Sequence, residues 1–216
     1  MARITIGEAA DTFIVTQEHK RFAEFAHAVR QHRYIGLCHG PAGVGKTLSA
    51  RRYARWDKTE DLLTHWGARS PSDAAVYALV AHARSVFYTP TVGATLRELR
   101  QDLPRLFARA HLCIQEHHAA RASAVADSRQ QVELLIVDET ERLSTMALDY
   151  LRDLFDRRGI GLILIGMSGI EKRLSRYPQL YSRIGFAHHY RPLTPQELAF
   201  VLTHRWRQLG LTLDQA

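Results

Sequence analysis

Eight residues, Gly40 to Thr47, read GPAGVGKT and leave the chain few paths. The spacing is G-x-x-x-x-G-K-T, placed between the apolar run YIGLC (34–38) and a helical stretch over 46–56. In that setting the loop is the turn between a strand and a helix. Its glycines let backbone N–H groups point inward around an anion, and the helix N-terminus adds the positive end of its dipole. A chance glycine-rich turn seldom meets every fixed position in this context. A strand that feeds a helix this way belongs to a parallel sheet covered by helices, so the loop already points to an α/β chain.

The remaining pattern agrees. Helices are expected over 17–31, after the Ser70–Pro71 start signal, over most of 94–119, and over the stretch ending at Gly159. Further helices are expected over 169–184 and from the capping box TPQE (194–197). Between them lie SVFYT (85–89), VELLIVD (132–138), IGLILIG (160–166) and a last run near 185–190. The continuous apolar character of the second and third is that of strands buried on both faces. The expectation is a parallel five-stranded sheet flanked by helices.

At 216 residues and 46% hydrophobic the chain has material for one ordinary core. The longest apolar run, 160–170, falls well short of a membrane span, and Glu8 and Asp11 interrupt any leader-like apolar segment. A cytoplasmic protein without membrane contact is expected. Two cysteines build no disulfide framework, which fits a reducing compartment. The histidine pairs at 117–118 and 188–189 lack partners at ligand spacing, which argues against a structural metal site. The net charge of +7 favours polyanionic partners without requiring them.

LLIVDE (134–139) is the companion of the glycine loop: a buried strand that ends in two adjacent carboxylates pointing opposite ways. Together the two motifs suit the hydrolysis of a nucleoside triphosphate, ATP with Mg2+. Backbone from Gly40, Pro41, Ala42, Gly43, Val44 and Gly45 would wrap the phosphates, with Leu48 completing the contacts in the helix. Lys46 would meet the outer phosphates, Thr47 and Asp138 the magnesium, and Glu139 would polarise the attacking water. The strand 85–89, between the loop and the acidic strand in sequence, fits ATPases with an added strand rather than nucleoside monophosphate kinases.

With these stretches and DLFDRRGIGLILIGMSGIEKRLSRYPQLYSRIGF (153–186), the chain resembles the AAA+ ATPases over roughly residues 13–200. Within them it looks most like the transposition regulators of the MuB, TnsC and TniB type. The resemblance implies a homo-oligomer, ring or filament, that assembles with ATP on duplex DNA through phosphate contacts. It further implies recruitment or activation of a transposase, together with a target-selection protein in some systems. Residues 1–192 would form the nucleotide-binding core with an N-terminal linker, and 193–216 a reduced helical lid carrying Arg205 and Arg207. Adenine would be met by FIVT (13–16) or by a neighbouring subunit. At the tip of the fourth strand, where such chains carry a polar sensor, Met167 departs from the pattern and Ser168 is the candidate; Ser168 as a helix cap is an equal reading. Arg183, in the SR of LYSRIGF, would be the finger that meets ATP held next door, with Arg176 as second candidate and a helix C-terminal role as the plain alternative. For DNA the candidates are Thr91, Arg97 and Arg100, against a solvated helix face balanced by Glu98 and Asp102. Rival functions are an initiator or helicase-loader ATPase, a nucleotide-gated binding module with little turnover, and a small-molecule kinase.

Overall fold

Residues 13–120 and 131–208 of the chain are described here in a computed structural model. The helix α1 (Gln17–His32) opens on Thr16, whose hydroxyl accepts the His19 amide at 3.1 Å. Its apolar face lies on the sheet. Phe25 and Val29 come so close to Gly36 of β1 (Ile35–Gly40) that a side chain there would collide with both.

After the glycine loop come α2 (Lys46–Tyr53) and α3 (Trp56–Thr64). The expected helix ran on to 56. Instead, Arg55 takes a left-handed conformation (φ 55°) and turns the chain, which carries Trp56 and Leu63 into the core. A short 3-10 turn capped by Ser70 and Asp73 leads into α4 (Ala74–Ala83), and β2 (Ser85–Tyr88) follows. A capping box between Thr95 and Glu98 starts α5 (Leu96–Ala119). All four residues of β3 (Leu134–Val137) are buried.

Ser144 caps α6 (Thr145–Arg158), and Gly159 closes it with φ 59°. β4 (Gly161–Met167) is buried up to its last residue. The helical stretch expected over 169–184 is two short helices, α7 (Ile170–Leu174) and α8 (Pro178–Tyr181). The break falls at Tyr177 (φ −118°, ψ 82°), because the ring of Pro178 excludes helical backbone in the residue before it. Last are β5 (Ile184–His189) and α9 (Pro195–Gln208), the latter started by reciprocal bonds between Thr194 and Glu197.

The five strands are parallel in the order β2-β3-β4-β1-β5. β1, β3 and β4 therefore end side by side on one edge, with Gly40 opposite Met167. In open parallel sheets that carboxyl edge is where ligands bind. Among the described residues no helix is long and apolar enough to cross a membrane.

Candidate active site

The glycine loop leaves β1 beneath the carbonyl of Tyr190, which would lie 2.3 Å from a Cβ at position 40, so only glycine fits there. Gly45 then takes φ 105° as the N-cap of α2, a conformation that turns the loop back on itself. Lys46 stands at the first helical position and is 9% exposed. Its ammonium donates to the carbonyls of Gly40 at 2.8 Å and Pro41 at 2.6 Å. Both acceptors are neutral, so the charge remains available to a phosphate.

Thr47 donates from its hydroxyl to Oδ2 of Asp138 at 2.6 Å, joining the loop to the acidic strand. The other oxygen of Asp138 accepts the Glu139 amide at 2.8 Å. Burial pushes the Asp138 carboxyl above the ordinary aspartate range, and these two donors pull it partly back. A hydroxyl and a buried carboxylate at bonding distance are hard oxygen donors, the chemistry that suits Mg2+. The donor set fits the ion.

Glu139 is left-handed, with φ 49°. The other three non-glycine residues with positive φ among those described, Arg33, Arg55 and Arg84, stand at helix ends. Glu139 likewise opens a short 3-10 turn, Thr140–Arg142, two residues past β3 at the carboxyl edge of the sheet, where such strain accompanies functional sites. Glu139 and Asp138 line one cleft of about 250 Å³ with Lys46, Thr47, Glu141 and Met167. Met167 is 49% exposed at the tip of β4. Ser168 is not among the lining residues, and it is Gly169 that caps α7.

A second cleft, of about 400 Å³, adjoins the other side of the loop. Phe13, Ile14 and Thr16 line it together with Gly43, Val44 and Leu48, as do Tyr190 and Arg205 of α9. Thus the FIVT segment meets the loop inside one subunit. Two contacts behind this cleft were not foreseen: Ser49 Oγ bonds the Tyr190 hydroxyl at 2.8 Å and His19 Nδ1 at 3.0 Å. No motif marks them, since they join residues far apart in sequence. Arg207 is exposed on α9 and is not among the residues that line either cleft.

Arg183 lies at the start of β5, on the amino edge of the sheet and away from its own clefts. Its Nε donates to Asp156 at 2.7 Å, and its Nη1 to the Gln179 carbonyl. The guanidinium in turn holds the Asp156 carboxyl below its usual range. Arg176 is exposed and lines a groove of about 480 Å³ between α5, α6 and α8, which Arg100 enters over the Tyr150 ring. Arg97 is exposed one turn earlier, and Thr91 is exposed in the loop after β2.

A model of the AAA domain family matches residues 29–174, from the end of α1 through α7. The chain belongs to the AAA domain family. A relative from Staphylococcus aureus, described as a potential ATP-binding protein, is 39% identical over 206 residues, which are 93% of this chain and 75% of that one. Among solved structures, the RuvB Holliday junction branch migration motor of Thermotoga maritima superposes with a TM-score of 0.50 at 15% identity. That match covers 94% of this chain and 54% of RuvB. The ADP form of Aeropyrum pernix ORC2 gives 0.51 at 14% identity, over 94% of this chain and 55% of ORC2. At such identities the likeness shows the AAA fold, and the chain spans about half the length of both structures.

Proposed function

We propose that this AAA chain hydrolyses ATP with Mg2+, assembles as a homo-oligomer on duplex DNA and regulates DNA transposition by recruiting or activating a transposase. One observation carries the hydrolytic reading: Lys46, the Thr47–Asp138 pair and the strained Glu139 converge on one cleft. Lys46 would neutralise the outer phosphates. Thr47 and Asp138 would hold Mg2+, which supplies further positive charge between the phosphates. Glu139 would take the proton of the attacking water. The second cleft is of a size for a base, with Phe13, Ile14 and Leu48 as apolar walls. Residues 1–192 would form the nucleotide-binding core with its N-terminal linker, and 193–216 the reduced lid that brings Arg205 to the loop.

Support for assembly lies in Arg183, which faces away from its own cleft. Its bond to Asp156 is a half-exposed ion pair, worth about 0–1 kcal/mol, and a neighbour's triphosphate displaces it readily. The DNA reading is supported by the net charge of +7 and the exposed Thr91, Arg97 and Arg100. The transposase partner rests on the sequence resemblance.

The test is ATP turnover with and without duplex DNA, at several salt concentrations, for the parent chain and Glu139→Gln. Turnover by the parent that DNA stimulates, with DNA binding that weakens steeply as salt rises, supports the reading. Glu139→Gln should bind ATP normally and lose about a hundredfold or more in turnover. Parent-level turnover in that variant sinks the assignment of Glu139. ATP binding without turnover in the parent leaves the nucleotide-gated module standing.

A further inference from the structure

The carboxyl edge of β4 presents Met167 to the cleft, and one polar side chain that stands against this strand is Glu141. Glu141 sits on the short turn after Glu139 and lines the same cleft. Its Oε2 is closed off from solvent and has no hydrogen-bond partner among the described residues. β4 is reduced to backbone where this oxygen approaches: a Cβ at Gly166 would lie 3.1 Å from it.

The turn itself is clamped. Arg173 of α7 donates to the Glu141 carbonyl at 2.8 Å and to that of Leu143. Arg142 donates to the Pro90 carbonyl at 2.9 Å. The backbone is thus fixed by two arginines while the carboxylate between them lacks a donor. A buried acceptor left unmade lowers stability, so such an oxygen calls for a partner from outside the chain, a water, an ion or a ligand.

We propose that Glu141 holds water at the hydrolytic site, its carboxylate accepting a hydrogen bond from the water that attacks the outer phosphate. The last torsion of a glutamate is broad, so a small rotation turns the oxygen from β4 into the cleft. The division of labour with Glu139 is definite. The water oxygen bonds to the outer phosphorus as the bond to the bridging oxygen breaks, and the released proton goes to Glu139. Glu141 takes no proton and fixes where the water stands. This inference rests on the hydrolytic reading above.

The experiment compares Glu141→Gln and Glu141→Leu with the parent in steady-state turnover, nucleotide titration and thermal unfolding without nucleotide. Gln keeps an acceptor, so its kcat should stay within about threefold of the parent, unlike Glu139→Gln. Leu removes it, so kcat should fall about thirtyfold or more while KM and nucleotide affinity stay within about twofold. The nucleotide-free melting point of the Leu variant should equal or exceed the parent's, because an unsatisfied acceptor has gone. Three results overturn the inference: full turnover in Leu, a Leu variant losing turnover together with melting point and nucleotide affinity, or a Gln variant as inactive as Glu139→Gln. A parent that binds ATP without hydrolysing it ends the hydrolytic reading and this inference together. Full parent turnover beside an unaffected Leu variant ends this inference alone.

Discussion

Lys46 rests its ammonium on two neutral carbonyls in a nearly closed loop, 9% exposed, whereas Arg183 rests its guanidinium on a carboxylate, the two side chains 35% and 33% exposed. Both cations are held by their own chain, but only one is electrically spent. Carbonyl dipoles position the Lys46 charge without cancelling it, so the loop attracts an anion at any time. Asp156 cancels the charge of Arg183 until a stronger anion arrives. The contrast separates a group built for the chain's own cleft from one held in reserve for another molecule.

Four substitutions test that contrast. The largest effect is expected from Arg183→Ala, which should bind ATP like the parent yet lose about a thousandfold in turnover if the arginine acts across subunits. Mixing it with Lys46→Ala, which keeps the arginine, should restore activity at mixed interfaces. No recovery at any ratio, with co-assembly shown by cross-linking, counts against action in trans, and the same mixing with Arg176→Ala tests the second candidate. Next, Lys46→Ala should weaken ATP binding about a hundredfold in a direct titration, the scale of a lost charge-assisted bond. Unchanged affinity would mean that the loop's backbone suffices. The smallest effect belongs to Asp156→Asn, which frees Arg183 and should raise turnover of the assembled protein about two- to threefold. A fall instead would show that Asp156 aims the arginine rather than parking it.

What the sequence disclosed and what it hid differ in range. The loop, the Lys46–Thr47 pair and the acids after β3 were legible because their chemistry needs residues in fixed local order. The five strands were legible from apolar runs, and their order fits the family fold. The start of α3 was not, because Arg55 turns the chain without the glycine that usually marks such a turn. The break before α8 carried its mark, Pro178, but the apolar pattern on either side runs through it. Glu141 escaped notice for another reason. A carboxylate three residues past Asp138 looks like a surface charge until β4 is seen to pass over it at Gly166. Arg205 was marked only as a lid residue, and its place beside the loop, like the Tyr190–Ser49 bond, exists only once the chain has folded.

The strand order also has a consequence for biosynthesis. β1, which launches the phosphate loop, pairs only with β4 and β5, made roughly 120 residues or more later. A nascent chain on the ribosome therefore carries a complete GPAGVGKT motif long before any sheet exists to hold it. The cleft can form only after β4 emerges, and a chain stalled before that point carries the full motif with no cleft to bind a nucleotide.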